Sequence, residues 1–371
     1  MSPRRPPLIG IIGGYGAVGR SAASSLAARG RFRLRIGGRD PEAARVCAAR
    51  IGGFAEAMPV DAGDTGSLAR FSLGCRTVLN CAGPAYLLGD RARHAAFAAG
   101  ADYVDVMDDG RTAEAVPGRT AVLSAGLSPG LSGLLPGLLA QGLRGAEFTG
   151  CHVGLGAFTR TGALDYLLSM ERGYGTPMAV WRGRVVTGAL GIQEHFQVPG
   201  VPRPLTAYPF LTGELVGRAQ ELGLREARWY NAFDGSALLA ALNRSRGGHP
   251  TARDLAARAE ELVRSSTLDA AGRTPYHVLW GRLNGTDQEG DAVSRAVVVR
   301  GEDGSRLTGA IAAFATAAVT NGQVLRGVHQ ASTVLSPQAV VDWLGGVPGV
   351  TVHQTTAKDA GDGAEVDEGV L

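Results

Sequence analysis

The sequence predicts an α/β protein in which a doubly wound parallel sheet carries an inserted second domain of α+β type. Two observations support this prediction. Short apolar strands alternate with helical segments from residue 8 to residue 123, which is the pattern of a parallel sheet with helices on both faces. Residues 145 to 305 then contain longer strands and a hairpin turn, so we interpret them as a separate α+β domain.

The composition is typical of a soluble globular protein, with 371 residues, 45% of them hydrophobic and 19% charged. There is no run of about 18 apolar residues, and the N-terminus lacks the apolar segment of a signal peptide. We therefore expect a cytoplasmic protein without a membrane partner. The net charge of +3, without basic clusters among aromatic residues, argues against nucleic acid. The four cysteines and seven histidines show no metal-binding spacing, so no metal is expected.

The first predicted strand, Leu8 to Ile12, leads into a glycine-rich turn that fits the pattern G-x-G-x-x-G. Small and apolar residues continue as a helix to Ala28. We expect Gly14 to permit the turn, Gly16 to let a pyrophosphate reach the backbone, and Gly19 to bring the helix close to the strand. The N–H groups at the helix start would face the phosphates. The predicted cofactor contacts here are Gly14, Tyr15, Gly16, Ala17, Val18 and Gly19.

The second strand, Phe32 to Ile36, ends in two glycines, and the next side chain is Arg39. A carboxylate at this place binds the ribose 2′-hydroxyl of NAD, whereas a guanidinium matches a 2′-phosphate and stacks on adenine. Asp40 is the alternative ribose ligand, although it also suits the N-cap of the next helix, Glu42 to Arg50. We predict NADP(H) as the cofactor, with NAD(H) as the second choice.

Two more strand ends supply candidate cofactor contacts. The third strand runs from Phe54 to Val60, and Asp61 at its end lies beside the adenine or caps the next helix. The fourth strand, Thr77 to Asn80, is followed by a loop of small residues that can lie against a nicotinamide. The residues of this predicted nicotinamide edge are Asn80, Cys81, Ala82, Gly83 and Pro84. Tyr86 follows and either donates a proton or only packs.

A helix from Leu88 to Ala99 leads to the fifth strand, Ala101 to Val106, and the sixth strand is Thr120 to Leu123. Three carboxylates come at the end of the fifth strand or just after it: Asp105, Asp108 and Asp109. They could orient an amine or raise one another's pKa values, or they could serve as helix caps and solvated turn charges.

The first 140 residues resemble, in register, the saccharopine dehydrogenase-like reductase family. The resembling segments are GGYGAVGR, GGRDPE, VLNCAGPAY, GADYVDVMDD and VLSAGLSPGLSGLL. A weaker resemblance returns from residue 327 to residue 343, whereas residues 145 to 305 resemble the family only in element order. The resemblance implies a Rossmann-fold, NAD(P)-dependent oxidoreductase that reduces an imine formed from an amine and a carbonyl compound, or catalyses the reverse oxidation.

The second domain is predicted to begin with a strand from Glu147 to Phe158 and a helix from Gly162 to Arg172. His152 in this strand either faces the cleft between the domains or is a hydrogen-bonded sheet histidine. Arg160, beside the helix start, is either a clamp for a substrate carboxylate or half of a surface ion pair. The later predicted elements are a hairpin around Arg182 to Arg184, a loop from Val198 to Pro204, a helix from Ala252 to Arg264, strands from Tyr276 to Leu283 and Ala292 to Arg300, a helix from Ala310 to Val319, a helix opened by Ser336, and a last strand from Val347 to His353.

We therefore assign residues 1–127 and 326–357 to the Rossmann domain, residues 128–325 to the inserted domain, and residues 358–371 to a disordered acidic tail. Lys358 is the only lysine, which argues against a Schiff-base lysine and against the Tyr-x-x-x-Lys dyad of short-chain dehydrogenases. The catalytic candidates are Tyr86, Arg160 and His152. We expect a small-molecule substrate and allow a homodimer. The alternatives to imine reduction are a carbonyl or enoyl reductase acting on a specialised metabolite and a non-catalytic NADP-binding regulator.

Overall fold

The computed structural model describes residues 5–29, 31–107, 114–171, 173–245 and 251–358. The elements up to residue 139 are β1 (Leu8–Ile12), α1 (Ala17–Ala27), β2 (Arg33–Gly38), α2 (Pro41–Ile51), β3 (Ala55–Pro59), α3 (Thr65–Ser72), β4 (Thr77–Asn80), α4 (Ala85–Leu88), α5 (Arg91–Ala98), β5 (Asp102–Asp105), β6 (Thr120–Leu123) and α6 (Leu131–Leu139).

The later elements are β7 (Arg144–Leu155), α7 (Arg160–Glu171), β8 (Gly175–Pro177), β9 (Val180–Trp181), β10 (Val185–Val186), β11 (Gln193–Phe196), β12 (Leu205–Thr212), α8 (Gly213–Glu221), β13 (Glu226–Phe233), α9 (Ser236–Arg244), α10 (Ala252–Ala270), β14 (Tyr276–Thr286), β15 (Ala292–Gly301), α11 (Gly304–Thr320), β16 (Gly327–Gln330), α12 (Ala331–Val334), α13 (Pro337–Gly345) and β17 (Val350–Lys358).

The first sheet has the order β16-β6-β5-β4-β1-β2-β3, and its neighbouring strands pair in parallel. This is the doubly wound order 3-2-1-4-5-6 with one further strand at the β6 edge, so the predicted Rossmann fold is confirmed. In such a sheet, ligands bind outside the carboxyl ends of the strands, where the strand order reverses between β1 and β4.

The second sheet has ten strands, seven of them in the order β10-β9-β13-β7-β14-β15-β17. β7 and β13 are parallel, whereas β14, β15 and β17 continue antiparallel to their neighbours. This mixed sheet confirms the predicted second α+β unit. Within the part of the chain that the structure describes, no helix is long and apolar enough to cross a membrane.

The C-terminal part of the chain contributes one strand to each sheet. This corrects the predicted placement of the last strand in the Rossmann domain. β16 pairs with β6 of the first sheet, as the assignment of residues 326–357 requires, but β17 pairs with β15 of the second sheet. Val350 and Val352 of β17 pack against the main core, and the strand covers the edge that β15 would otherwise expose. Lys358 therefore ends a strand and does not begin a tail, and residues 359–371 lie outside the described residues. We keep the boundary near residue 326 as a proposal.

Local signals explain two further differences from the predicted elements. The predicted helix from Leu88 to Ala99 corresponds to α5 and begins only at Arg91, because Gly89 adopts a φ of +60° and ends the short preceding helix α4. The sequence analysis also missed β12, where Pro209 interrupts the expected pattern of a strand although it is paired with Tyr230 of β13.

α11 joins the second sheet to the first. A Cβ on Gly309 would lie 2.6 Å from the Cβ of Ser21 and from the carbonyl oxygen of Val18, so α11 approaches α1 closely. At its C-terminal end, the Thr320 hydroxyl lies 2.8 Å from the hydroxyl of Thr77, the first residue of β4. α11 therefore runs antiparallel to the strands, and its N-terminal turns lie at the carboxyl edge of the first sheet.

We predict that Gly309→Ala lowers the free energy of unfolding by about 1–3 kcal/mol, because the added methyl group overlaps the α1 backbone. The control is Gly217→Ala in α8, where a Cβ meets nothing within 4 Å. That change should raise stability by up to about 1 kcal/mol through helix propensity. Guanidinium unfolding of both variants checks the prediction, and an equal stabilisation by the two alanines would contradict the close packing of α11 on α1.

Candidate active site

The turn after β1 contains one glycine that the sequence analysis did not single out. Gly13 has a φ of +73°, so it is the residue of this turn that adopts the left-handed conformation. A Cβ on Gly13 would lie 2.9 Å from the Ala82 nitrogen in the loop after β4. Gly14 is also enclosed, since its Cβ would lie 2.9 Å from the Ile11 carbonyl oxygen. The turn therefore brings the ends of β1 and β4 together without side chains between them.

Gly16 and Gly19 lie where the pattern G-x-G-x-x-G requires them. A Cβ on Gly19 would be 2.7 Å from the Gly14 Cα, so α1 lies close against the turn. A Cβ on Gly16 would meet, among the described residues, only the Gly13 oxygen at 3.1 Å. The other side of Gly16 is open. α1 has no side-chain N-cap, so the N–H groups of its first turn, at Ala17 and Val18, remain available. This cradle fits an anionic group such as the pyrophosphate of a dinucleotide.

Hydrogen bonding at the end of β2 distinguishes the roles of the two candidate ribose ligands, Arg39 and Asp40. The Asp40 carboxylate accepts the N–H groups of Glu42 and Ala43 at 2.9 and 3.1 Å, so it caps α2. The Asp40 N–H donates to the hydroxyl of Tyr15, which fixes this side chain of the glycine turn against β2. Arg39 is exposed, and no residue of the described chain pairs with its guanidinium. Of the two, Arg39 is therefore the side chain that is free to bind a 2′-phosphate.

Asp61 lies at the carboxyl end of β3, the strand next to β2, and is exposed. Its carboxylate accepts the Gly63 N–H at 2.9 Å. The cap of α3 is Asp64, whose carboxylate accepts the Gly66 N–H at 2.8 Å. Asp61 therefore does not cap that helix, and its place beside the adenine stays a prediction.

The loop after β4 is fixed from within the first sheet. The amide of Asn80 donates to the Asp105 carboxylate at 3.0 Å, and its oxygen accepts the Ala82 N–H at 3.1 Å. Asp105 also accepts the Tyr103 hydroxyl and the Met107 N–H, so this carboxylate ties the ends of β4 and β5. Burial, followed by the charge of Asp105, raises the pKa of the Cys81 thiol, which therefore remains protonated. Asp108 and Asp109 lie outside the described residues.

The same loop is contacted from the second unit by α7. Asp165 accepts the Ala85 N–H at 2.7 Å, and a Cβ on Gly83 would lie 2.7 Å from both Asp165 Oδ2 and Thr161 Cγ2. Burial raises the pKa of Asp165 to about 6, and the hydrogen bond from Ala85 opposes this shift. Sequence analysis missed Asp165. The only signal for it was that Thr161 and Asp165, four residues apart, share one face of the predicted helix.

The structure distinguishes the two proposed roles of Arg160. Its guanidinium is largely exposed and lies 3.1 Å from the carboxylate of Glu260 in α10, which is the surface ion pair. The face of α7 that contacts the loop after β4 carries Thr161 and Asp165. The clamp role of Arg160 stays a prediction that this geometry does not favour. Tyr86 is buried in α4, directly after Ala85.

His152 belongs to a pair that sequence analysis did not find. Its Nε2 lies 3.4 Å from Nδ1 of His277 in the neighbouring strand β14, and the rings stack at 5.7 Å. Burial, and then the neighbouring His277, lower the pKa of His152 to about 3, and burial also lowers the pKa of His277. Both imidazoles are therefore neutral near pH 7 and can act as hydrogen-bonding groups.

α11 brings this histidine pair to the edge of the first sheet. A Cβ on Gly304, the first residue of α11, would lie 3.0 Å from the His277 ring. One turn further along α11, Thr308 faces Gly126, since a Cβ on Gly126 would lie 3.4 Å from the methyl group of Thr308. Gly126 follows β6, so the His152–His277 pair lies near the carboxyl edge on the β6 side, whereas Asp165 lies over the β4 loop.

The segment after β6, which contributes to the family resemblance, is held by Glu214 of α8. Its carboxylate accepts the Gly130 N–H at 2.9 Å and the Ser132 hydroxyl at 2.8 Å. Burial raises the pKa of Glu214 to about 7, against the hydrogen bonds that favour its ionised form. The structure thus gives this segment a structural role at the start of α6.

Comparison with known proteins agrees with this geometry. Residues 9–124 match the family model described as the saccharopine dehydrogenase NADP binding domain, which confirms the resemblance and the predicted NADP(H) cofactor. Among solved structures, the apo histidine-tagged saccharopine dehydrogenase (L-Glu forming) from Saccharomyces cerevisiae is similar, with a TM-score of 0.66 and 14% identity. The match covers 95% of this chain and 100% of that chain, and it shows that the two share a fold.

Two other solved structures match smaller parts of the chain. A variant of actinorhodin polyketide ketoreductase with NADPH has a TM-score of 0.25 and 15% identity over 28% of this chain and 54% of that chain. A short chain dehydrogenase/reductase family protein has a TM-score of 0.24 and 21% identity over 27% of this chain and 55% of that chain. No curated protein sequence gives a significant match.

We predict that Gly16→Val abolishes binding of NADPH while the fold is kept, because the branched side chain fills the open side of the turn. Titration of cofactor fluorescence, with circular dichroism as the folding check, measures this. The matched control is Gly213→Val at the start of α8, where a Cβ meets nothing within 4 Å. Unchanged NADPH affinity in Gly16→Val would mean that the turn is only structural.

Proposed function

We propose that this saccharopine dehydrogenase-like, NAD(P)-dependent oxidoreductase reduces an imine formed from an amine and a carbonyl compound, or catalyses the reverse oxidation. The proposal rests on the protonation states of the side chains near the carboxyl ends of the strands of the first sheet. His152 and His277 have lowered pKa values and hold no positive charge near pH 7, and the raised pKa of Cys81 makes its thiol a poor proton donor. A protonated imine is already polarised, so its reduction needs little acid from the protein, whereas a neutral ketone needs a proton donor.

Different residues of the chain bind the cofactor and the substrate. The turn from Gly14 to Gly19 binds the pyrophosphate, and Arg39 binds the 2′-phosphate. The adenine lies beside Asp61, and the loop from Asn80 to Pro84 orients the nicotinamide. NADPH, when bound, supplies the hydride. The histidine pair offers neutral hydrogen-bonding groups to the small-molecule substrate, and the second unit covers the edge of the sheet to keep water out.

The second candidate function is reduction of a carbonyl compound or an activated alkene. Tyr86 favours it, because this phenol is buried immediately after Ala85, the residue that Asp165 binds. In that function Tyr86 would donate the proton that a neutral substrate lacks.

The experiment that tests the proposal combines binding with turnover. Fluorescence titration first establishes that the protein binds NADPH. NADPH consumption is then followed with carbonyl compounds alone and with the same compounds plus amines. We expect consumption to depend on the amine. Consumption by carbonyl compounds alone would support the second candidate, and binding without consumption over the whole panel would indicate a non-catalytic regulator.

Arg39 should determine the choice of cofactor. We expect wild type to bind NADPH more tightly than NADH, and Arg39→Leu to lose about 1.5–3 kcal/mol of NADPH binding, which is roughly 10- to 160-fold in dissociation constant. NADH affinity should change little, because NADH has no 2′-phosphate. Dissociation constants for both cofactors in both proteins test this, and equal affinities in wild type would overturn it.

Removing the Tyr86 hydroxyl separates the two candidate functions. If an imine is the substrate, Tyr86→Phe should keep most of kcat and kcat/KM, because the substrate carries its own proton. The measurement is steady-state turnover, with NADPH affinity as the control for an intact site. Loss of turnover while NADPH binding is intact would contradict the imine proposal and assign Tyr86 as a proton donor.

A further inference from the structure

Asp165 is the point at which the second unit contacts the predicted nicotinamide edge. One carboxylate oxygen accepts the Ala85 N–H at 2.7 Å, and the other lies so close to Gly83 that a Cβ there would be 2.7 Å away. A glycine at position 83 thus leaves room for the charged group itself. The carboxylate therefore contacts both ends of the Gly83–Pro84–Ala85 segment, within the loop where the nicotinamide is proposed to bind.

This carboxylate differs from three buried acids of the chain that form ion pairs with arginine. Asp102 is paired with Arg326, Asp234 with Arg203 and Arg273, and Glu226 with Arg182 and Arg228. No arginine, lysine or histidine among the described residues forms an ion pair with Asp165. A partly desolvated carboxylate without a cation is costly, and the raised pKa of Asp165 agrees with that environment.

The hydrogen bond to Ala85 does not by itself require a negatively charged acceptor. A neutral oxygen, such as that of asparagine or serine, would also accept one backbone N–H, although in a weaker hydrogen bond. The charge becomes useful if a cation occupies the adjacent site during the reaction. Above pH 6 most of the Asp165 carboxyl is ionised, so it suits a cationic partner better than it suits the role of a proton donor.

We propose that the Asp165 carboxylate stabilises positive charge at the reacting centre, on the iminium substrate and on the oxidised nicotinamide ring. The inference rests on the proposed function. In imine reduction the C=N carbon of the substrate gains the hydride, and its π-electron pair becomes the lone pair of the amine nitrogen. The positive charge passes from the substrate to the nicotinamide, so one carboxylate serves both sides of the reaction. Asp165 thus selects cationic imines over neutral carbonyl compounds.

The test compares the dissociation constants of NADP⁺ and NADPH, which requires no substrate. At pH 8 the variant Asp165→Asn keeps an acceptor for Ala85 and removes the charge. We expect it to weaken NADP⁺ binding relative to NADPH by about three- to tenfold, the size of one partly screened charge pair. Asp165→Ser also keeps an acceptor without charge, and should shift the same ratio if the asparagine variant does not fold. The control is Glu171→Gln, which removes an exposed charge from the end of the same helix.

Each outcome is decisive. A ratio that changes in both Asp165 variants and not in Glu171→Gln supports the assignment. A ratio within twofold of wild type overturns it and leaves Asp165 as a structural cap of α4. Failure of the proposed function would look different, since NADPH would then bind without any consumption of the amine and carbonyl panel. A shifted ratio without imine reduction would keep Asp165 beside the nicotinamide and refute only the substrate class.

Discussion

The packing of α11 on α1 and on the first sheet is the contact on which the candidate site depends. α11 follows β15 of the second sheet and then runs antiparallel to the strands of the first, so one rigid helix belongs to both units. Its first residues contact His277, and Thr308 faces the turn after β6. The absence of a side chain at Gly309 allows this approach. The histidine pair is therefore placed by the fold and not by a flexible loop, as hydride chemistry in a confined cleft requires.

Charge is distributed unevenly around this framework. Several buried acids that serve the architecture are neutralised by arginine, as Asp102 is by Arg326 where β16 joins the first sheet, whereas Glu214 accepts hydrogen bonds from Gly130 and Ser132. Near the carboxyl ends of the strands of the first sheet, the charges are balanced differently. Asp165 keeps a carboxylate without a cation among the described residues, and His152 and His277 are kept neutral by burial. Asp102 thus has a permanent cationic partner, whereas the acid beside the predicted nicotinamide loop has room for a transient one.

Local motifs could be predicted from the sequence because their physics is local. Gly16 and Gly19 are required by the geometry of a strand, a turn and a helix start, and Asp40 is identified as a helix cap by its position before the next helix. The sequence could not reveal His277 or Asp165, because each acquires its role from a partner far along the chain: 125 residues separate His277 from His152, and 80 separate Asp165 from Ala85. The same reason hid the pairing of β17 with β15, since apolar alternation identifies a strand but not its neighbour.

Cofactor and substrate recognition are encoded in separate parts of the chain. The segment from residue 9 to residue 124 matches an NADP-binding family model, and it contains the predicted cofactor contacts. In the proposed function, the second unit supplies the groups that face the cofactor and substrate: Asp165, His152 and His277. They come from the part of the chain that shares only a fold with the solved saccharopine dehydrogenase. Lys358 is the only lysine and lies at the end of an outer strand, so substrate recognition in this chain must depend on other residues. The carboxylate of Asp165 is one such group, because no cation among the described residues forms an ion pair with it.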